Sequence, residues 1–454
     1  MSTKARRSRE RTPSGADARS ERPGLWPPPE GTWLALAGLL PIFAAHYLYA
    51  ALYSETAFSL VMVEAVVLGA LLTRQSFRKD LGRMRGLTAP AVLFALVLLV
   101  GLIQLTPWAP GGAHPVWAYI GRGPGSTTID RSSTIAELIK LLGLACIFLV
   151  GALTGASDRR ARTAVHVTLG FALLLAIWAF FGSVTDPVPG ERRLEGNFLN
   201  ANTAGTFMAC MLMLSLAVMI RQLRAAKPET RIVRGAPLAA ISLTFAICLL
   251  MTASRGATGA LVVALLAFGA LQMFSSKVKV TKALLVGVGG LIVVAIALLI
   301  AGDLVVDRFA RADRDTALRT AVWAEHWQAF LASPLLGYGL GSLETVNKTL
   351  INGSNYGTLW SIKAVLNVYL QWLEQAGLLG AIAMFGTIAA IIVTTLNGAL
   401  RRSRMTLLLF SLLAADVVFL VHGFTDFGLD AYSMAAMWSY LLGLQLALSQ
   451  GSAR

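Results

Sequence analysis

The chain alternates between apolar segments and short polar connections over most of its length. Twelve apolar segments of about 18 residues or more can be read from it, and about 20 apolar residues in a helix cross the hydrocarbon of a bilayer. We therefore predict an all-α polytopic membrane protein with about 12 transmembrane helices. Nine of them fall within residues 33–302 and three within 365–449. The segments are 33–53, 56–73, 88–106, 134–153, 162–183, 200–220, 236–253, 256–274, 283–302, 365–396, 405–421 and 430–449.

One long polar interval, from Asp303 to Gly380, breaks this pattern. Its first part, 303–364, is far longer than a usual connection between elements, and such loops tend to be functional or disordered. Tryptophans at 323, 327 and 360 argue against disorder. They can stack on sugar rings or form the core of the loop itself. We predict a structured loop at 303–364 that covers a site on the membrane bundle.

Composition and charge support a membrane protein and suggest its orientation. The chain is 56% hydrophobic, has a mean hydropathy of +0.65 and carries a formal charge of +15. With both termini in the cytoplasm, every short connection on the inner side is basic, as the positive-inside rule requires. The charge therefore indicates contact with anionic membrane lipids and not a nucleic-acid partner. Residues 1–32 read as a disordered basic cytoplasmic tail and 450–454 as a cytoplasmic end.

Cofactor and metal motifs are missing from the sequence. The three cysteines fall inside apolar segments, where they read as small core residues, so we expect neither a disulfide framework nor a metal site. No phosphate-binding loop or dinucleotide fingerprint is present, so we expect no cofactor and no nucleotide-driven reaction.

Arginines gather on the predicted outer side. Arg255 occupies a tight turn between two apolar segments, Arg319 ends a charged run, and Arg192 and Arg193 precede a Gly-Asn motif that includes Asn202. A guanidinium binds phosphate oxygens in pairs and keeps its charge at any accessible pH. These arginines are candidates for holding the diphosphate of a lipid carrier. The alternative is that they reach lipid headgroups or pair with nearby carboxylates.

Two further groups have spacing that suits chemistry. Asn367, Gln371 and Glu374 are spaced to share one face of a helix, where the glutamate would orient a sugar hydroxyl or pair with Arg319. His422 and Asp426 are four residues apart, so they are candidates for a base and its carboxylate, or for a hydrogen bond that holds a turn.

These motifs, taken in order over residues 190–446, resemble the O-antigen ligase and Wzy-type polymerase superfamily of bacterial inner-membrane glycosyltransferases. The resemblance rests on Gly196-Asn197-Phe198, Thr252-Ala253-Ser254-Arg255-Gly256, Arg319-x-x-x-Trp323, Pro334-Leu335-Leu336-Gly337-Tyr338-Gly339-Leu340-Gly341, Asn367 followed by Gly377-Leu378-Leu379-Gly380, and His422 with Asp426-Phe427.

The resemblance implies a GT-C-like helical fold whose periplasmic loop covers the active site. It implies a donor glycan on undecaprenyl diphosphate, a glycan or lipid-linked acceptor, and no obligatory metal. Arg255 and Arg319 would hold the diphosphate leaving group. The product would be a surface polysaccharide such as O-antigen of lipopolysaccharide, capsule or exopolysaccharide, made beside other assembly proteins.

The chain departs from the family pattern at one position. Ligases of this family carry a histidine immediately before the asparagine that matches Asn367, and this histidine is the expected base. Here the position is Leu366, which cannot accept a proton. Three explanations are open: another residue (His326, Glu374, Glu344 or His422) serves as the base, the enzyme is a polymerase with a different arrangement, or the ligase reaction is lost. The difference favours a polymerase slightly over a ligase.

Three classes of function remain open at this stage. The first is the outer-face glycosyltransferase. The second is a transporter or flippase of lipid-linked sugars, although transporters usually place polar groups near the membrane midplane and here they collect at one face. The third is a non-catalytic scaffold of a polysaccharide export complex, which the leucine at 366 leaves open.

Overall fold

The computed structural model describes residues 32–51, 53–121, 123–185, 193–198, 200–275 and 312–451. Within these ranges the chain is helical and contains no β-strand. The helices of four or more residues are α1 (Thr32–Ala37), α2 (Leu39–Tyr47), α3 (Ser54–Thr73), α4 (Gln75–Gly82), α5 (Thr88–Gln104), α6 (Val116–Tyr119), α7 (Arg131–Gly155), α8 (Asp158–Thr185), α9 (Ala201–Ala225), α10 (Arg231–Met251), α11 (Arg255–Phe274), α12 (Ala312–Ala332), α13 (Leu343–Leu350), α14 (Tyr356–Leu359), α15 (Val368–Arg401), α16 (Thr406–His422) and α17 (Tyr432–Ser449).

The helix lengths confirm the predicted fold class. Eight helical stretches in the described part of the chain are long and apolar enough to cross a membrane. They are Ser54–Thr73, Arg85–Gln104, Arg131–Gly155, Asp158–Thr185, Ala201–Ala225, Pro228–Met251, Arg255–Phe274 and Val368–Arg401. Two apolar stretches are shorter, Thr32–Tyr47 and Thr406–His422. The protein is thus an all-α polytopic membrane protein. The number of twelve spans stays a prediction, and one of the predicted segments, 283–302, lies outside the described residues.

Helix α9 is the centre of the bundle. The most apolar 18-residue window of α9 is 89% buried inside the protein, against 22–44% for the other seven candidate spans. It contacts α8, α10, α11 and α16. Its buried residues include four alanines, whose small side chains allow neighbours to pack closely, and three methionines, which fill irregular gaps. The polar residues at the first turn of α9 are consequently placed among the ends of its neighbours.

Helices α7 and α17 pack with their backbones in contact. A Cβ added to Gly151 of α7 would lie 2.1 Å from the carbonyl oxygen of Tyr440, and one added to Gly443 of α17 would lie 2.0 Å from that of Phe148. Glycine at these positions removes the side chain that would hold the helices apart, as is common where helices associate in membranes. The pair brings the carboxyl end of the chain against its first third.

The stretch predicted as a structured loop contains three helices, α12 to α14. The inner face of α12 carries buried residues three or four positions apart, Val322, His326, Ala329 and Phe330. The amide of Asn347 in α13 donates to the carbonyl oxygens of Leu359 (2.9 Å) and Ile362 (3.1 Å), which ties α13 to α14. Residues 303–311 of the predicted loop lie outside the described part of the chain.

Candidate functional site

Helix α15 is interrupted about two and a half turns after its amino-terminal end. Gly377 has φ 61° and ψ −172°, which no helical residue adopts. Residues 334–341 lie against the interruption and bond to it. The four backbone bonds, 2.8–3.2 Å long, run from Tyr338 N to Glu374 O, Gly339 N to Gln375 O, Leu378 N to Pro334 O and Leu379 N to Leu335 O. The carbonyl and N–H groups freed by the break are therefore satisfied, as the interior of a membrane protein requires.

Two motif glycines make this close approach possible. A Cβ added to Gly337 would lie 2.3 Å from the carbonyl oxygen of Glu374, and one added to Gly377 would lie 2.3 Å from the carbonyl group of Leu335. Both glycines also have φ near +60°, the left-handed region that favours glycine. The Pro334–Gly341 and Gly377–Gly380 motifs are thus two halves of one structural unit.

Gln104, at the end of α5, fastens this unit to the bundle. Its fully buried side-chain amide donates to the carbonyl oxygens of Leu336 and Gln375 (2.8 Å to the latter), and its oxygen accepts from Leu340 N–H at 3.0 Å. Sequence reasoning missed this residue. The signal was a lone amide near the end of an otherwise apolar segment, where a buried polar side chain needs partners.

The loop reaches the bundle through a histidine and a glutamate. Nδ1 of His326 in α12 lies 2.6 Å from Oε2 of Glu374 in α15, and both side chains are fully buried. Nε2 of His326 and Oε1 of Glu374 are also buried and have no hydrogen-bond partner in the described part of the chain. The sequence suggested Arg319 as one partner for Glu374, whereas the structure pairs Glu374 with His326.

Arg319, seven residues before His326, lies on the same side of α12. Its positive charge is close enough to act on both His422, the last residue of α16, and Asp426. His422 is buried, and its Nδ1 lies 2.6 Å from Oγ1 of Thr206 in the second turn of α9. The Thr206 hydroxyl donates to the carbonyl oxygen of Asn202 at 3.2 Å, so its oxygen can accept a hydrogen bond from Nδ1–H of His422.

Asp426 is a buried carboxyl in the connection after α16. Burial raises its pKa to about 6, while the Arg319 charge, the amide of Asn202 and the N–H groups of Phe427 and Gly428 oppose the rise. These groups lie nearby, but neither carboxylate oxygen makes a hydrogen bond of normal geometry within the described residues. The charge of Asp426 therefore depends on Arg319 and on any cation or donor that enters the site.

Arg193 and Arg255 lie beside this cluster. The guanidinium of Arg193 donates to the carbonyl oxygen of Thr252 at 2.8 Å and to Oδ1 of Asn202 at 2.9 Å. Arg255 is the first residue of α11, after the N-cap Ser254. The ring of His422 packs against Gly256, since a Cβ added there would lie 2.6 Å from Nε2. Arg192 lies outside the described residues.

Asn367 and Gln371 make contacts of their own. The Asn367 side chain caps α15, because its Oδ1 accepts from the N–H groups of Tyr369 and Leu370 at 3.0 and 3.1 Å. It therefore precedes the helix and does not share a helical face with Glu374. Gln371 donates to both oxygens of Asp430 at 2.9 and 3.0 Å.

The described part of the chain thus places two polar clusters around α12. The first, which we call the arginine cluster, consists of Arg193, Asn202, Arg255, Arg319, His422 and Asp426. The second is the His326–Glu374 pair. The arginine cluster is suited to an anion, and the pair is suited to proton transfer. No group of three His, Cys, Asp or Glu side chains among the described residues is arranged to hold a metal ion.

The comparisons with known proteins bear on the part of the chain that carries half of these residues. No curated protein matches the chain. Residues 240–385 match the family model described as O-antigen ligase, a range that includes Arg255, Arg319, His326 and Glu374. This match supports the O-antigen ligase and polymerase superfamily as the family of this membrane protein.

Proposed function

We propose that the protein is a membrane glycosyltransferase that transfers or polymerises oligosaccharide carried on undecaprenyl diphosphate, at the periplasmic face, in surface polysaccharide biosynthesis. The family match supports a ligase or polymerase type of function in polysaccharide biosynthesis. The observation that carries the finer proposal is the placement of Arg319 and His326 on one side of α12. Seven residues of helix put them about 10 Å apart along its axis.

The arginine cluster would bind the diphosphate of the donor. Arg319 and Arg255 would hold the phosphate oxygens, while Arg193 and Asn202 keep the first turn of α9 in place through their hydrogen bond. As the bond from the anomeric carbon to the diphosphate breaks, negative charge grows on the leaving oxygen. Fixed guanidinium groups stabilise that charge more than they stabilise the bound donor, and this difference accelerates the reaction.

The His326–Glu374 pair would accept the proton of the acceptor hydroxyl. The carboxylate holds Nδ1 of His326, so Nε2 carries the free lone pair. The acceptor oxygen attacks the anomeric carbon, its proton passes to Nε2, and undecaprenyl diphosphate leaves. This is the arrangement of a base with its orienting group, and it supplies the base that Leu366 cannot. Access to the buried pair requires a displacement of α12, as expected for a loop that covers a site.

The polymerase reaction is preferred over the ligase reaction because of Leu366. This residue has φ 59°, a strained backbone for leucine, directly before the cap of α15. If a histidine at this position distinguishes ligases from polymerases, the Leu366→His variant should transfer glycan to the final acceptor. An unchanged product from this variant would mean that the residue at 366 does not decide between them.

Glycan analysis of a strain that lacks the protein tests the proposal. Single repeats on undecaprenyl diphosphate, with long chains missing, identify a polymerase. Long lipid-linked chains that never reach their acceptor identify a ligase. Unchanged glycans would favour the scaffold, and repeats trapped on the cytoplasmic leaflet would favour the flippase; either result overturns the enzyme.

A further inference from the structure

A second basic site lies at the other end of the bundle. A small open groove lies between α8, α9 and α16. Arg162, His166 and Arg221 line it together with the apolar side chains of Val165, Val218 and Leu408. Arg221 is 19 residues from Asn202 along α9, which is about 28 Å of helix. The groove is therefore about one hydrocarbon thickness from the arginine cluster and is independent of the proposed reaction.

The two arginines of the groove differ from their paired neighbours. Arg160 bonds to Asp80 at 2.6 Å and Arg402 bonds to Asp158 at 2.8 Å. Arg162 and Arg221 have no carboxylate within ion-pair distance among the described residues, and they lie close enough for their charges to repel. Two like charges held together without an acid are stabilised by an anion between them, and guanidinium groups suit phosphate.

The surroundings of the groove indicate that this anion belongs to an amphiphile. His166 begins an exposed stripe on α8 that continues toward the other end of the helix. The stripe contains Gly170, Leu174 (59% exposed), Trp178 (44%) and Phe181 (57%). In a membrane such a stripe contacts acyl chains, so a lipid lying along it has its headgroup beside the two arginines. Basic pockets between helices at the membrane surface bind phosphate-bearing headgroups in this way.

We propose that this groove is a binding site for a phosphate-bearing membrane lipid. Arg162 and Arg221 hold the phosphate, and the lipid tail lies on the exposed stripe of α8. The apolar side chains of Val165, Val218 and Leu408 contact the part of the lipid acyl chains that is nearest to the glycerol.

The test measures phosphatidylglycerol binding to the purified full chain in detergent, for instance by native mass spectrometry. We expect the variant Arg162→Gln/Arg221→Gln to bind at least about tenfold more weakly, because each arginine near a headgroup contributes about 1 kcal/mol. The matched control is Arg231→Gln/Arg234→Gln, which removes the same charge from exposed positions outside the groove. It should bind as the wild type does.

Two further probes separate the lipid from other ligands. Diacylglycerol, which has no phosphate, should bind equally to the wild type and to the groove variant. Glycerol phosphate, the soluble headgroup, should compete poorly, since it lacks the tail. If the groove variant fails to fold, Arg162→Lys/Arg221→Lys keeps both charges and should keep most of the binding, while Arg221→Gln alone should still weaken it.

Three outcomes overturn the proposal. Equal phosphatidylglycerol binding by the wild type and the groove variant would show that these arginines do not hold the lipid. An equal loss in the control variant would show a general basic surface. Glycerol phosphate that displaces the lipid at equal concentration would show a site for soluble anions.

Discussion

His326 and Glu374 form a hydrogen-bonded pair that joins helix α12 to the interrupted helix α15, with neither side chain exposed. The two residues are 48 positions apart in sequence. Each residue has one further polar atom that is buried and makes no hydrogen bond within the described ranges, so this atom is available to a substrate.

We predict that Glu374→Ala and His326→Ala each reduce glycan extension about 10²-fold or more, through loss of the base. Each should also destabilise the protein by about 3 kcal/mol, since removing one partner leaves the other buried and uncompensated. Extension should be measured with purified protein and lipid-linked repeats extracted from the deletion strain. Thermal unfolding in detergent is measured in parallel.

The double variant separates catalysis from structure. With both side chains removed, stability should recover relative to either single variant, because no unpaired group remains. Activity should stay low, and imidazole added to His326→Ala should restore part of it. Full activity in the stable double variant would assign the pair a structural role only.

Arg319 should be more important for turnover than for stability. We expect Arg319→Ala to lower the rate about 10²- to 10³-fold, the usual cost of removing one group that stabilises a developing negative charge. Arg319→Lys should recover only part of the rate, because lysine keeps the charge but not the paired donors. Arg255→Ala should behave in the same way. Lys348→Ala is the control, since Lys348 is exposed and paired with Glu344. Normal glycan from the Arg319 variant would remove this residue from the site.

Gln104 should hold residues 334–341 against α15. Gln104→Leu removes the donor to the carbonyl oxygen of Leu336 and the acceptor of the Leu340 N–H, and each unsatisfied buried group costs about 1–3 kcal/mol. The carbonyl oxygen of Gln375 keeps its bond from Gly339 N–H. We expect a lower unfolding temperature and faster proteolysis between α12 and α15. Gln272→Leu is the control. Its buried amide nitrogen has no partner within the described residues, so its removal should be neutral. Equal stability of the two variants would contradict this role of Gln104.

The alternation of apolar and polar segments was sufficient to predict membrane-spanning helices. It was not sufficient to predict where a helix is interrupted. Long apolar segments such as 134–153 and 200–220 correspond to α7 and α9. In a bilayer the backbone N–H and C=O groups must bond within the segment, and a helix satisfies them. The break in α15 was not predicted, since Gly377 reads as one more small residue in an apolar run. What makes the break tolerable is a segment that begins 43 residues earlier, at Pro334.

The site could be predicted as a set of residues but not as a set of contacts. The spacing of Asn367 and Glu374 suggested one shared face, yet the asparagine caps the helix because its side chain finds two free N–H groups. His326 was a candidate only as a substitute for the missing base. Its pairing with Glu374 depends on how α12 packs, and the spacing of residues along one helix holds no information about that.

The two motif glycines should not tolerate a side chain. Gly377→Ala places a Cβ against the backbone of Leu335 and adds strain at positive φ, so we expect loss of folded protein or at least about 2 kcal/mol of stability. Gly337→Ala should be similar. Gly259→Ala in α11 is the control, because a Cβ there meets nothing within 4 Å, and alanine favours a helix by up to about 1 kcal/mol. Detergent extraction yield and unfolding temperature measure both effects.

The buried carboxyl of Asp426 gives stability a dependence on pH. Its folded-state pKa of about 6 is above the ordinary 3.8, so the folded protein binds this proton more tightly than the unfolded chain. The group therefore disfavours folding at pH 8 by up to about 3 kcal/mol, and this cost disappears as the pH falls from about 6 toward 4. We expect Asp426→Asn to be more stable than the wild type at pH 8, with the difference shrinking below pH 6.

Unfolding temperatures measured from pH 8 to pH 5 check this expectation. Glu344→Gln is the control, because Glu344 is exposed and should change neither the stability nor its pH dependence. Activity should change in the opposite direction to stability, since the asparagine removes the negative charge beside Arg319 and leaves that guanidinium less well placed for the diphosphate. A constant difference in stability between the wild type and Asp426→Asn over this range would show that Asp426 keeps one charge state throughout. Its ionised form would then be held by Arg319 more strongly than burial opposes it.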